Sequence, residues 1–184
     1  MEVKSIKHVK WNLAIIYVIP TKALKRSLWR DLGKDVCKIS QPWLAIGDFN
    51  SVLSSDEVIQ TTSFNDQRSR DFVDWVNQES LIDMRYKGPT FTWKRGNNSN
   101  TFRGARLDRG LCSDDWLDIY PSATISHLPN ISSNHNQILL GTTDQNGARN
   151  QRRFQFQASW TARKDFMKVI NNVWNSTTLA LVKN

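Results

Sequence analysis

Asp48, Asn50, Asp108 and His135 are the residues of this 184-residue sequence whose types and placement could do chemistry. Asp48 and Asn50 end the apolar run 43–46 in "WLAIGDFNSVL", which reads as a buried strand, and so set an acid and an amide two residues apart at its end. Asp108 stands in the "ARLDRGL" arm of a predicted hairpin, and His135 in "SSNHNQILL", just before another short strand. Polar groups at the ends of separate strands can converge on one sheet edge, where acids, an amide and an imidazole could move a proton and hold an anion. Each also has a simpler reading: Asp48 as a turn residue, Asp108 as the partner of Arg106 or Arg109, His135 as a surface histidine.

The charge distribution narrows the chemistry. The net charge is +8, but residues 1–40 carry nine Lys/Arg against three acids, residues 41–140 nine against twelve, and residues 141–184 seven against two. Basic flanks enclosing an acidic middle suit metal-assisted phosphodiester chemistry, in which carboxylates hold a cation and basic residues attract a polyanion. A basic protein with an ordinary acidic stretch would look the same on charge alone. Cys37 and Cys112 lack metal-ligand spacing and suggest neither zinc nor a disulfide. No apolar run approaches a membrane span and no cleavable signal is evident, which predicts a nuclear or cytoplasmic protein, neither secreted nor bound to a membrane.

The elements that must position these groups follow from periodicity. Residues 13–18 read as a strand ending before Pro20, and Thr21 then caps an amphipathic helix with apolar residues at 24, 28, 32 and 36 and lysines and arginines on its solvated faces. A polar loop after the 43–46 strand leads to a second helix holding Phe72, Val73, Trp75 and Val76 and ending near Ser80. The segment from Phe91 to Leu107 predicts a hairpin with a long Gly-Asn-rich loop, and "SATISHL" and "NQILLGT" predict two more strands. A polar linker then precedes a helix with Trp160, Phe166, Ile170 and Trp174 at helical spacing. This order predicts an α/β or α+β layered domain with helices covering a mixed sheet.

Taken in order, "IGDFNSVLSSDE", "GPTFTWKRG…ARLDRGL" and "LPNISSNHNQILL" resemble the endonuclease/exonuclease/phosphatase superfamily and, within it, the apurinic-type endonuclease domain of plant LINE-type non-LTR retrotransposons. "IIYVIP" resembles the family's tyrosine-proline strand, and "RRFQFQASW" its segment leading to the reverse transcriptase. The resemblance implies a four-layer α/β sandwich that hydrolyses DNA phosphodiesters with Mg²⁺. It assigns Asp48 to the attacking water, Asn50 and Tyr17 to phosphate oxygens, and His135 to the scissile phosphate with its ring oriented by Asp108. Arg103, Arg106 and Arg109 become candidate contacts to the nucleic-acid backbone, with the last two equally readable as partners of nearby acids.

The sequence departs from that family at two places. Asn134 stands where the family's Ser-Asp-His triplet has its aspartate, leaving a weak metal ligand. The chain also begins after the point where the family's first strands, with their metal-binding glutamate, belong, and Glu2 lacks the surrounding motif. The expectation is an incomplete sandwich over residues 1–142 with impaired or lost hydrolysis, then a basic linker and helix over 143–184 toward a reverse transcriptase outside the chain. The competing functions are a non-catalytic nucleic-acid-binding remnant and a phosphatase of a small phosphorylated metabolite.

Overall fold

The computed structural model describes residues 2–4, 9–36, 39–59, 67, 69–131, 133–142 and 165–176. The chain divides into two compact units, Met1–Arg152 and Arg153–Asn184. In the second, one helix (α4, Phe166–Ser176) falls on the predicted C-terminal helix. The linker 143–150, the connector 152–160 and Trp160 lie outside the described residues.

In the first unit, β1 (Glu2–Lys4), β2 (Lys10–Tyr17), β3 (Trp43–Asp48), β5 (Ile82–Asp83) and β9 (Asp108–Cys112) form one sheet in the order β1-β2-β3-β9-β5. The short strands β4 (Val58–Ile59), β7 (Trp93–Arg95) and β8 (Arg103–Ala105) form a second sheet, β4-β8-β7. A third, β11-β10-β6, joins β6 (Tyr86–Lys87), β10 (Thr124–His127) and β11 (Ile138–Gly141). Strands β2 and β3 run parallel, joined by α1 (Lys22–Val36), because a parallel pair needs a crossover long enough to return the chain to its starting end. The fold is an α/β sandwich, as the sequence predicts.

Two apolar clusters hold the layers together. Under α1 and α2 (Arg70–Gln78), Trp29, Phe72 and Trp75 pack with Phe49 on one face of the five-stranded sheet, with ring centroids of Trp29 and Phe72 5.0 Å apart and those of Phe49 and Phe72 5.5 Å apart. The opposite cluster joins Trp11, Leu44, Met84, Trp116 and Ile125. Strand β2 serves both by alternation, with Trp11 and Leu13 in one cluster and Ala14 and Ile16 in the other. Further along its first face, Ile15 and Tyr17 are exposed.

Several elements differ from the sequence reading. The buried stripe of α1 runs through Leu28, Trp29 and Leu32, leaving Leu24 exposed, because strict steps of four overshoot a 3.6-residue turn. The return arm of the β7–β8 hairpin stops at Ala105, and Asp108 instead opens β9, a separate strand buried along its whole length between β3 and β5. "DRGLC" shows no alternation because both of its faces are covered. A short helix, α3 (Asp114–Ile119), also went unpredicted; Ser113 caps it by accepting the Trp116 N–H. Cys112 is a buried free thiol pushed up to about 12, chiefly by that burial.

Phe49 is fully buried between the two residues of interest at 48 and 50, so it anchors that turn. Phe49→Ala should cost about 3–5 kcal/mol. Urea unfolding should show this as a lower midpoint with an unchanged slope.

Candidate active site

The turn after β3 is set by three local constraints. Parallel pairing puts Gly47 beside Ile16 and Asp48 beside Tyr17. Gly47 has φ 143°, and a Cβ there would lie 2.0 Å from the Ile16 carbonyl oxygen, so only glycine allows the strands this close. Asn50 adopts φ 48°, a left-handed conformation that asparagine tolerates. Its N–H donates to Asp48 Oδ1 at 2.8 Å, and its Nδ2 donates to the Val18 carbonyl at 2.9 Å and to Asp48 Oδ2 at 3.1 Å. Asp48 and Asn50 therefore meet through a turn closed by hydrogen bonds, where the two-residue spacing had suggested an extended segment. Both Nδ2 hydrogens are engaged within the protein, so donation to a phosphate requires one of those bonds to open.

Lys25 reaches this turn from α1. Its ammonium donates to the Asn50 carbonyl and to Ser51 Oγ, and it is a half-buried clamp where the sequence suggested a solvated face.

The opposite wall comes from β9 and the loop before β11. Asp108 lies directly across the β3–β9 pairing from Asp48. Thr92 fixes its approach, accepting the N–H groups of Leu107 at 2.9 Å and Asp108 at 3.0 Å, while the Phe49 N–H donates to the Leu107 carbonyl at 2.9 Å. His135 forms a β-bridge with Trp93, and its Nδ1–H donates to Asp108 Oδ2 at 3.1 Å. That bond fixes the ring and leaves Nε2 as the other functional nitrogen.

One ligand atom from each of Asp48, Asp108 and His135 lies within 4.8 Å of the others. Burial raises the Asp48 carboxyl above its usual range and the nearby Asp108 charge adds to this, opposed by the Asn50 N–H, His135 and Lys25. Like charges facing each other across a ladder are unfavourable. Two close, buried carboxylates thus fit a hard divalent cation whose remaining coordination is filled by water.

These residues line a depression of about 790 Å³ together with Tyr17, Asn50 and Arg103. Asn134 is exposed and outside that lining, its carbonyl accepting the Lys94 N–H. Arg106 and Arg109 are not positioned to touch a nucleic-acid backbone. Arg109 has no exposed surface and Arg106 only 5%, because both guanidiniums are spent on buried Glu57 and half-buried Asp83. Arg106 Nη1 bonds Glu57 Oε1 at 2.7 Å and Asp83 Oδ2 at 2.6 Å, while Arg109 Nη2 bonds Glu57 Oε2 at 2.7 Å and its Nη1 reaches Asp83 at 3.2 Å. Of the two readings open for these arginines, partnership with acids is the one the structure adopts. Those acids are Glu57, in the polar loop after the 43–46 strand, and Asp83, three residues beyond the predicted helix end near Ser80. The signal that could have found them is the demand that Arg109, in a buried strand, and Arg106, just before it, make for counter-charge.

No protein-family model matches this sequence, and no curated protein matches it. Among solved structures the fold is similar to the "Endonuclease domain of TRAS1, a telomere-specific non-LTR retrotransposon", with a TM-score of 0.51 and 15% sequence identity over 74% of this chain and 58% of that one. At that identity the likeness concerns the fold. This chain spans a little over half of that domain's length.

Burial alone would raise the Glu57 carboxyl, but Arg109, the Leu53 N–H and Arg106 hold it below the usual glutamate range. Its contribution to stability is therefore present above the unfolded value of about 4.3 and lost as pH falls through the lower folded value. Glu57→Gln should lower stability at pH 7 by about 3–5 kcal/mol by leaving buried guanidinium charge uncompensated. Urea unfolding at stepped pH should also show that the variant lacks this part of the wild-type acid destabilisation.

Proposed function

We propose that this chain is an endonuclease domain of the plant LINE-type non-LTR retrotransposon kind, hydrolysing DNA phosphodiesters with a divalent cation, Mg²⁺ by the hardness of its carboxylate donors. The observation that carries the reading is the meeting of Asp48, Asp108 and His135 in the lining of one depression that Arg103 also lines. The order of the GDFN, RLDR and SNH segments along the chain and the endonuclease-like fold support it.

In this reading the Asp48 carboxylate orients a water and accepts its proton as the water oxygen bonds to phosphorus and one P–O ester bond breaks. His135, held through Nδ1 by Asp108, presents Nε2 to the phosphate, and Tyr17 and Asn50 offer hydrogen bonds to its oxygens. A cation held by Asp48 and Asp108 would supply Lewis-acid stabilisation of the charge that develops on phosphate. Asn134, neutral and outside the lining, adds little to that cation's binding.

Nicking of supercoiled plasmid by the full chain tests the reading. We expect weak nicking in Mg²⁺, because Asn134 brings no charge to the cation, none in EDTA, and a further loss in Asp48→Asn and in His135→Ala. Nicking at the wild-type rate by both variants, or none by folded Asn134→Asp, would contradict it. Turnover of a small phosphate ester in preference to DNA would favour a phosphatase instead.

A further inference from the structure

The β7–β8 hairpin carries two arginines directly opposite each other. Its register pairs Trp93 with Ala105 on the inner rung and Arg95 with Arg103 two residues further out. Residues two apart on a strand share a face, and directly opposed residues bring their Cβ atoms to about 4.5–5.5 Å, so the two guanidiniums project from the face that bears Trp93. Trp93, Ala105 and Arg103 all line the depression holding Asp48 and His135. Both arginines are exposed, and neither pairs with an acid among the described residues.

Like charges directly across a ladder destabilise a hairpin, and nothing in the packing of exposed side chains offsets that. An anion seated between them would. The outer rung stands about 7 Å along the strands from the Trp93–Ala105 rung, and Trp93 is bridged to His135. At roughly 3.4 Å of helix axis per nucleotide in one strand, that offset corresponds to about two nucleotide steps.

We infer that Arg95 and Arg103 form a two-arginine clamp for a backbone phosphate one or two nucleotides from the scissile one. The inference deepens the proposed reading of the site and rests on its DNA substrate, though not on hydrolysis itself. The clamp contacts phosphate and not bases, so it fixes the register of a strand over Asp48 and His135 without reading its sequence.

Fluorescence anisotropy of a fluorescein-labelled DNA duplex with the full chain, across a salt series in EDTA, tests it. Each neutralised phosphate contributes about 0.9 to the slope of log affinity against log salt. Arg95→Gln and Arg103→Gln should each weaken binding and reduce that slope by a fraction of 1, and the double variant should reduce it by about 1, while Arg30→Gln, an equal charge change on α1, should leave it unchanged. In the absence of DNA, neither hairpin variant should melt below wild type. Nicking by the wild type in Mg²⁺ is scored separately, so failure of the hydrolytic reading would appear as absent nicking with the arginine effect on binding intact. Slopes for Arg95→Gln and Arg103→Gln equal to that of Arg30→Gln, or no DNA binding by wild type at low salt, would overturn the clamp.

Discussion

Two buried guanidiniums, the buried Glu57 carboxylate and the half-buried Asp83 carboxylate hold this site in place. Each ion taken alone from water would cost several kcal/mol, so Glu57, Asp83, Arg106 and Arg109 are tolerable inside the domain only as a mutually neutral set with short hydrogen bonds. The set joins segments that are far apart in sequence. Glu57 also accepts the Leu53 N–H, Arg109 also donates to the Ser51 carbonyl, and the Arg106 guanidinium lies 4.5 Å from the centre of the Tyr86 ring. The loop that follows Asp48 is thereby tied to the strand that begins with Asp108. Such networks contribute less to net stability than an apolar core would, but they enforce register, because any displacement strands a buried charge.

That register creates an electrostatic problem at the floor of the depression. Asp48 and Asp108 face each other across β3–β9, and the structure moderates the repulsion with the Asn50 N–H, the Lys25 ammonium and the His135 ring. The hairpin wall carries the same problem with the opposite sign, since Arg95 faces Arg103. In the proposed reading a phosphodiester accompanied by a divalent cation would relieve both, bringing a positive charge to the acids and a negative charge to the arginines. Folding preorganises these like-charge pairs, so the ligand meets them already in position.

Much of this was legible from residue types. The strand ending in GDFN, the helix with Phe72, Trp75 and Val76, and the last two strands of the first unit follow from apolar patterning that the packing reinforces. Strand β9 was hidden because its polar residues are buried, which reverses the usual meaning of an Asp-Arg pair. The arginines of RLDR illustrate the difficulty: residue type suits them equally to phosphate and to internal carboxylates, and only the fold shows that Glu57 and Asp83 lie within reach. Lys25 was illegible for a related reason. Its helix face looks solvated in projection, but the end of α1 nearest the turn after β3 brings its ammonium onto the Asn50 carbonyl.

In the proposed reading Asp48 and Asp108 hold a cation beside His135, in a geometry that the buried charge network preserves. Anomalous diffraction from crystals of the protein soaked in Mn²⁺, an oxygen-preferring surrogate for Mg²⁺, tests this most directly. An anomalous peak is expected within coordination distance of both the Asp48 and Asp108 carboxylates, with the Asp108–His135 and Glu57–Arg109 bonds intact. Crystals that show no peak there at saturating Mn²⁺, or in which Asp48 and His135 lie on separate surfaces, would contradict it.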